Sequence, residues 1–116
     1  MSYFIAQCLI LGNHSVLKAL DGAVGLMLAR STHPDLVLCD LNLPSLNGFQ
    51  ILEQLRQNIK TAHIPFVLLT SCSDSTTRQQ ALKLGANDFL SKPIKADKLL
   101  AVVQFQLESN LYSQQT

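Results

Sequence analysis

The chain has 116 residues, of which 47% are apolar, and nine Lys and Arg stand against eight Asp and Glu. This length suits one domain with its own core and is too short for two. The net charge of +1 argues against a nucleic-acid binder that acts through a basic surface. No apolar run is long enough to cross a bilayer, and the first residues lack the zones of a secretory signal.

The first twenty residues allow more than one interpretation. Tyr3 to Leu11 is apolar nearly throughout, and periodicity does not decide between helix and strand there. Val16 to Leu20 predicts a strand. The pair Asp21-Gly22 is typical of a turn, and a helix is expected from about Ala23 to Arg30.

Three later apolar runs predict strands with both faces buried. They are Leu36 to Cys39, which ends at Asp40, Ile64 to Leu69, which ends at Thr70, and Asp88 to Ser91, which ends at Lys92-Pro93. Runs without polar alternation are expected where helices cover both faces of a sheet.

Helical patterns lie between and after these runs. Phe49, Leu52 and Leu55 recur at helical spacing, Asp74 or Ser75 caps a helix that stops at Gly85, and a last helix begins at Asp97. Alternating strands and helices predict an α/β fold with a parallel sheet and right-handed crossovers. We expect one domain over residues 1–108 and a polar, frayed tail over residues 109–116.

The three cysteines are an odd number without disulfide or metal-site spacing: Cys8, Cys39 and Cys72. Cys8 and Cys39 lie in apolar runs, and we expect them to be buried as small hydrophobic side chains. Free cysteines are typical of reducing compartments, so we expect a cytoplasmic protein.

A polar residue follows each buried strand: Asp40, Thr70 and Lys92. In an open parallel sheet, ligands bind beyond the carboxyl ends of the strands, so these side chains are expected to converge. A carboxylate can form an acyl phosphate, and a hydroxyl and an ammonium can hold its oxygens. Each residue alone has an ordinary explanation as a cap, a strand residue or a turn; together they favour phosphoryl chemistry.

These residues belong to a longer series of segments in a specific order. The segments are Pro34 to Asp40, Leu43-Pro44, Gly48-Phe49, Leu68 to Thr70, Ala81-Leu82, Gly85 to Phe89 and Lys92-Pro93. In this order and spacing the chain resembles the receiver domains of two-component response regulators, from about Val16 to Leu107. The resemblance implies a flavodoxin-like, doubly wound parallel sheet.

The resemblance also implies roles for single residues. Asp40 corresponds to the phospho-acceptor, Thr70 to the switch hydroxyl and Lys92 to the phosphate-contacting base, while Phe89 stands at the aromatic switch. A cis peptide is expected at Lys92-Pro93.

The loop after Asp40 also matches the family. The backbone carbonyl of Asn42 would face a magnesium ion, Pro44 would fix φ, and Gly48 would permit an unusual φ.

The N-terminus departs from the family, in which the first strand ends in an acidic pair that supplies most of the magnesium site. Here the first acidic residue is Asp21. In the alignment we favour, Tyr3 to Leu11 corresponds to the first helix, and the first strand and the acidic pair are absent.

A rival alignment makes Ile5 to Leu11 the first strand and puts Gly12-Asn13 at the acidic pair. Ser15 to His33 would then be one helix containing Gly22 and Gly25, each of which costs about 1 kcal/mol relative to Ala. Both alignments leave Asp40 and the Asn42 carbonyl as the only protein ligands. We therefore expect weak Mg²⁺ binding and slow or absent phosphorylation.

A missing central strand would also weaken the fold. Four or five buried side chains at ~2 kcal/mol each amount to about 8–10 kcal/mol, against a typical domain stability of roughly 5–15 kcal/mol. We expect compensation in one of two ways. Tyr3 to Leu11 becomes a replacement strand, or exposed sheet edges pair in a homodimer.

The leading hypothesis is a single-domain receiver. A histidine kinase or phosphotransfer protein would phosphorylate it, and a downstream protein would read the face from Asp74 through Gly85 to Lys98. The alternative is a phosphorylation-independent pseudo-receiver that serves as a docking module. An aspartyl-phosphate phosphatase needs a second carboxylate where Asn42 stands, so we do not expect an enzyme. We expect neither nucleic acid nor membrane as a partner.

Overall fold

The computed structural model describes residues 7–12, 15–71 and 74–115, with side chains up to residue 109. Within these residues the chain forms five strands and four helices. The strands are β1 (Cys8–Gly12), β2 (Ser15–Ala19), β3 (Leu36–Asp40), β4 (Phe66–Thr70) and β5 (Asp88–Ser91). The helices are α1 (Gly22–Thr32), α2 (Gly48–Gln57), α3 (Ser75–Lys83) and α4 (Ala96–Gln115). Helix α4 runs past residue 108, and the division into a domain and a tail stays a prediction.

The strands form one sheet in the order β2-β1-β3-β4-β5. As predicted, β3, β4 and β5 are parallel neighbours. β1 lies between β2 and β3 and runs antiparallel to both. The fold is therefore the flavodoxin-like α/β type expected from the sequence, with one reversed strand inside the sheet.

This reversed strand corrects the alignment favoured from the sequence. A helix was expected over Tyr3 to Leu11, but Cys8–Gly12 is a strand, and the replacement-strand alternative is confirmed for these residues. Residues 3–6 lie outside the described part of the chain. The rival alignment had a strand here, but its single helix over Ser15 to His33 is wrong, because Ser15–Ala19 forms β2.

The short connection explains the direction of β1. Only two residues separate it from β2, and a link of that length joins antiparallel neighbours, since parallel strands need a crossover of a dozen or more residues. The segment from β2 through α1 to β3 is such a crossover, so β2 and β3 point the same way. A strand inserted between them and joined to β2 by a hairpin must oppose both.

Helices cover the two faces of the sheet unequally. Helices α1, α2 and α3 pack on one face, here called the α1–α3 face, over Cys8, Ile10, Cys39 and Leu68 among others. Of the helices that the structure describes, α4 alone packs on the opposite face, here called the α4 face. The buried residues there are Leu36, Leu38, Val67, Leu69, Leu90 and Val102, with Leu9 and Leu11 partly buried beside them. Strand β2 at the open edge is the least covered, and Val16 is 61% exposed.

The ends of α3 follow the predicted signals, and α1 begins at the predicted Asp21-Gly22 turn. The side chain of Asp21 caps α1, Asp74 caps α3, and Gly85 follows α3 with φ of 104°. Asn47 and Gln50 form a reciprocal capping box at the start of α2. Among the helices described, none combines the length and the apolar composition that a bilayer crossing requires.

Candidate functional site

The carboxyl ends of β3, β4 and β5 meet at one edge of the sheet, as predicted. Asp40 pairs in register with Leu69, and Thr70 pairs with Ser91. The backbone N–H of Lys92 donates to the carbonyl of Thr70 at 2.8 Å. Three adjacent parallel strands therefore bring Asp40, Thr70 and Lys92 to the same edge.

Asp40 and Lys92 are in direct contact. The Lys92 ammonium donates a hydrogen bond to Oδ2 of Asp40, and the two side chains are 19% and 5% exposed, for the lysine and the aspartate respectively. The backbone N–H of Asn42 donates to Oδ1 at 3.1 Å. Both carboxylate oxygens are thus engaged, and the cation compensates a charge that would otherwise be buried alone.

The side chains of Thr70 and Phe89 lie on the α1–α3 face of the sheet. Leu69 packs on the α4 face, so strand alternation directs the side chain of Thr70 toward the α1–α3 face. Phe89 is partly buried in the α1–α3 cluster and pairs in register with Leu68. The predicted switch residues therefore share the face opposite to α4, and Thr70 itself is fully buried.

The loop after Asp40 needs glycine at position 48, for a different reason from the one predicted. The sequence suggested an unusual φ, but Gly85 is the glycine recorded with positive φ among the described residues. A Cβ on Gly48 would lie 2.6 Å from Cδ1 of Leu68 and 2.9 Å from the carbonyl oxygen of Asp40. Close approach of α2 to the end of β3 sets the requirement. The peptide bond Lys92-Pro93 is cis, as expected.

Asp21 also anchors this loop, a role that sequence reasoning missed. Its Oδ2 accepts from the Ser45 hydroxyl at 2.6 Å, and the N–H of Gly22 donates to the Pro44 carbonyl at 2.9 Å. The Ser45 hydroxyl, followed by the N–H of Val24, lowers the pKa of Asp21. The pair Asp21-Gly22 predicted a turn before the helix, but no local signal pointed to a partner in another loop.

Arg56 is a second anchor that the sequence did not reveal. Its guanidinium donates to the carbonyl of Gly85 at 3.1 and 2.9 Å and to the carbonyl of Ile64 at 2.8 Å. It also donates to Oδ1 of Asn87, which accepts from the N–H of Phe66. These bonds hold the turn before β5, the strand that carries Phe89. Burial lowers the pKa of Arg56.

Gln7, the residue just before the reversed strand β1, also lies at the site. The backbone N–H of Asp40 donates to the Gln7 carbonyl at 3.0 Å, so this residue lies beside the predicted acceptor. An ordinary glutamine inside the apolar run Tyr3 to Leu11 offers no signal of such a position. The antiparallel direction of β1 decides it, because this direction brings the start of the strand to the edge where β3 ends.

The donor set at this edge does not fit a magnesium ion. Mg²⁺ in proteins is held by one or two carboxylates together with phosphate oxygens and water. Across the described residues, no three His, Cys, Asp or Glu side chains group closely enough to hold a metal ion. Asp40 is the carboxylate at the site, and its charge is offset by Lys92.

Comparisons with known proteins agree with this architecture. The sequence matches the response regulator receiver domain family over residues 2–104. It is 40% identical over 90 residues to protein PilH of Pseudomonas aeruginosa, covering 78% of this chain and 74% of PilH. It is 36% identical to the DNA-binding dual master transcriptional regulator RpaA of Synechocystis, covering 90% of this chain but 43% of RpaA.

A solved structure shows the same fold. The receiver domain of sensor histidine kinase PA1611 from Pseudomonas aeruginosa superposes with a TM-score of 0.70 at 28% identity, covering 78% of this chain and 74% of that one. That receiver carries a magnesium ion coordinated in its active-site cleft.

Proposed function

The chain belongs to the response regulator receiver domain family, and from this premise we propose that it takes a phosphoryl group onto Asp40 from a histidine kinase or a phosphotransfer protein. A carboxylate oxygen of Asp40 bonds to phosphorus as the phosphorus–nitrogen bond to the donor's histidine breaks, and that nitrogen takes up a proton. The product is an acyl phosphate. The chain is then a signalling module, not an enzyme that turns over a separate substrate.

The contact between Asp40 and Lys92 carries this proposal. Asp40 is 3% exposed at the carboxyl edge of a parallel sheet, where ligands of such sheets bind. An ammonium already held against the carboxylate is placed to contact the phosphoryl oxygens of the product. A buried ion pair adds little net stability, because the cost of removing both charges from water offsets their attraction. Stability alone is therefore a weak explanation for this pair at the ligand-binding edge.

Thr70 and Phe89 would transmit the change. In our proposal the Thr70 hydroxyl, which starts on the α1–α3 face at the end of β4, reorients toward the phosphoryl group, and Phe89 repacks within the α1–α3 cluster. The surface from Asp74 through Gly85 to Lys98 then changes, and a downstream protein reads it.

We propose that Mg²⁺ binds weakly or not at all, and that phosphorylation is correspondingly slow. The described site offers one carboxylate, paired with a cation, so little negative charge is left to attract a dication. Part of the neutralisation that a metal would provide comes from Lys92 instead.

We also propose that the chain acts in the cytoplasm.

A second copy of the chain would pair with the open edge of β2. Within the described residues that strand pairs on one side only, with β1, and its Val16 and Leu17 are 61% and 37% exposed. Unpaired edges of this kind favour strand pairing between chains. Sedimentation should show a dimer that Val16→Lys weakens; a monomer at high protein concentration contradicts the dimer.

Treatment with acetyl phosphate tests the phosphorylation itself. Intact-mass measurement should show the addition of one phosphoryl group, and Asp40→Asn should abolish it. Asp97→Asn, which removes an exposed carboxylate at the start of α4, serves as the matched control and should retain the adduct. No adduct on the folded native chain contradicts the proposal.

A second candidate is the phosphorylation-independent pseudo-receiver. The donor set that does not fit magnesium favours it. Here the Asp40–Lys92 pair would serve as a fixed link between β3 and β5, and the face from Asp74 to Lys98 would dock a partner constitutively. The absence of an adduct, together with binding of the same partner by Asp40→Asn, supports this candidate over the first.

A further inference from the structure

We propose that Gln7 is a ligand-binding residue of this pocket, whose side-chain amide donates a hydrogen bond to a phosphoryl anion on Asp40. This inference rests on the proposed function of Asp40. It adds the residue that directly precedes the reversed strand β1 and whose carbonyl accepts the backbone N–H of Asp40.

The register of β1 and β3 supplies the geometry. Cys8 pairs with Cys39 and Leu9 with Leu38, and the bond from the Asp40 N–H to the Gln7 carbonyl continues this register by one step. Gln7 is therefore directly opposite Asp40. Directly opposed residues of antiparallel strands have Cβ atoms about 4.5–5.5 Å apart and side chains on the same face.

The packing of neighbouring residues also indicates that the side chains of Gln7 and Asp40 share one face of the sheet. Leu9 and Leu38, two residues from Gln7 and Asp40 respectively, both belong to the α4 face. Because side chains alternate along a strand, Gln7 and Asp40 both point to that side of the sheet. Gln7 is neither fully buried nor fully exposed, which suits a side chain at the rim of a pocket.

The chemistry of an amide suits an anion better than a metal ion here. A glutamine side chain offers two N–H donors and no charge, whereas a carboxylate offers acceptors only. A phosphoryl group on Asp40 brings negative charge against one ammonium, from Lys92. Donors on the opposite side of the carboxylate would stabilise that charge without a metal.

Two variants and a control test the inference. Gln7→Glu places a second carboxylate opposite Asp40 and should raise the affinity for Mg²⁺, measured by calorimetry, about tenfold or more. Gln104→Glu makes the same chemical change on an exposed position of α4 and should leave the Mg²⁺ affinity unchanged. An unchanged affinity in Gln7→Glu overturns the inference.

The second measurement reads the amide directly. With beryllium trifluoride as a stand-in for the phosphoryl group, the side-chain NH₂ signals of Gln7 in a ¹⁵N correlation spectrum should shift, and those of Gln104 should not. Gln7→Leu, which removes the donors, should weaken beryllium trifluoride binding about tenfold, the loss expected for one hydrogen bond to a charged group. Unshifted Gln7 signals in the bound protein overturn the inference.

The two proposals fail in different ways. If the native chain forms no adduct with acetyl phosphate, the proposed function falls, and the Mg²⁺ affinity of Gln7→Glu still decides whether position 7 faces Asp40. If the adduct forms while Gln7→Glu and Gln7→Leu behave as the native chain, the role of Gln7 falls and the acceptor role of Asp40 stands.

Discussion

The ammonium of Lys92 donates a hydrogen bond to Oδ2 of Asp40 across the carboxyl edge of the sheet, joining residues that are 52 positions apart in the chain. β3 and β5 are not neighbours, since β4 lies between them. This ion pair therefore links the ends of β3 and β5 across the end of β4.

Breaking the pair from one side should destabilise the fold. Lys92→Met leaves the Asp40 carboxylate, 5% exposed, without its cation. We expect the free energy of unfolding to fall by about 3 kcal/mol. Urea denaturation measures it, and the double variant Lys92→Met, Asp40→Asn should recover most of the loss. Equal losses in the single and double variants contradict a coupled pair.

Gly48→Ala should be clearly destabilising. The added Cβ would lie within 3.0 Å of Leu68, of the Asp40 carbonyl and of the Leu41 Cα, two of which are backbone atoms. We expect a loss of about 2 kcal/mol, in the range seen for overpacked cores. Gly12→Ala is the control, since nothing lies within 4 Å of its Cβ. Similar melting temperatures for the two variants would rule out the steric explanation.

The Asp21–Ser45 bond should make stability depend on acid pH. Because the folded pKa of Asp21 is lowered from 3.8, its contribution is present at higher pH and is lost as the pH falls below that value. Ser45→Ala should therefore melt with a shallower dependence on pH between about 4 and 2. Ser31→Ala removes an exposed hydroxyl bonded to the Leu28 carbonyl and should keep the native slope.

The buried thiols should resist alkylation. A hydrogen bond with Cys8, together with burial, raises the pKa of Cys39 well above its usual value, so this thiol stays protonated at pH 8. Both cysteines are free and fully buried, as expected from their apolar runs. Peptide mapping after iodoacetamide should show slow modification of both in native protein and rapid modification in urea. Fast native labelling of Cys39 would contradict this packing.

Strands β3, β4 and β5 and the residues at their ends were predictable, because the signals are local. Leu36 to Cys39 and the run ending in Leu69 are apolar without alternation, and helix caps such as Asp74 bound the elements between them. In a parallel sheet the carboxyl ends of adjacent strands share one edge, so Asp40 and Lys92 could be placed together before any coordinates.

The role of the N-terminal segment could not be predicted in this way. The same apolar run suits a helix or a strand, and its hydrophobic pattern says nothing of direction. Asp21 shows the same limit, because its cap is local while its bond to Ser45 depends on how two loops meet.

The sequence by itself determined the parallel strands and the polar residues at their ends, because each depends on neighbours within a few positions. The order and spacing of these segments along the chain then determined the family. Only the tertiary structure decided that β1 runs backwards between β2 and β3 and brings Gln7 opposite Asp40. The physical reason is that a strand's partners and direction depend on backbone pairing with distant segments. For β1, the two-residue link to β2 requires an antiparallel neighbour, and the position between β2 and β3 makes β1 antiparallel to both.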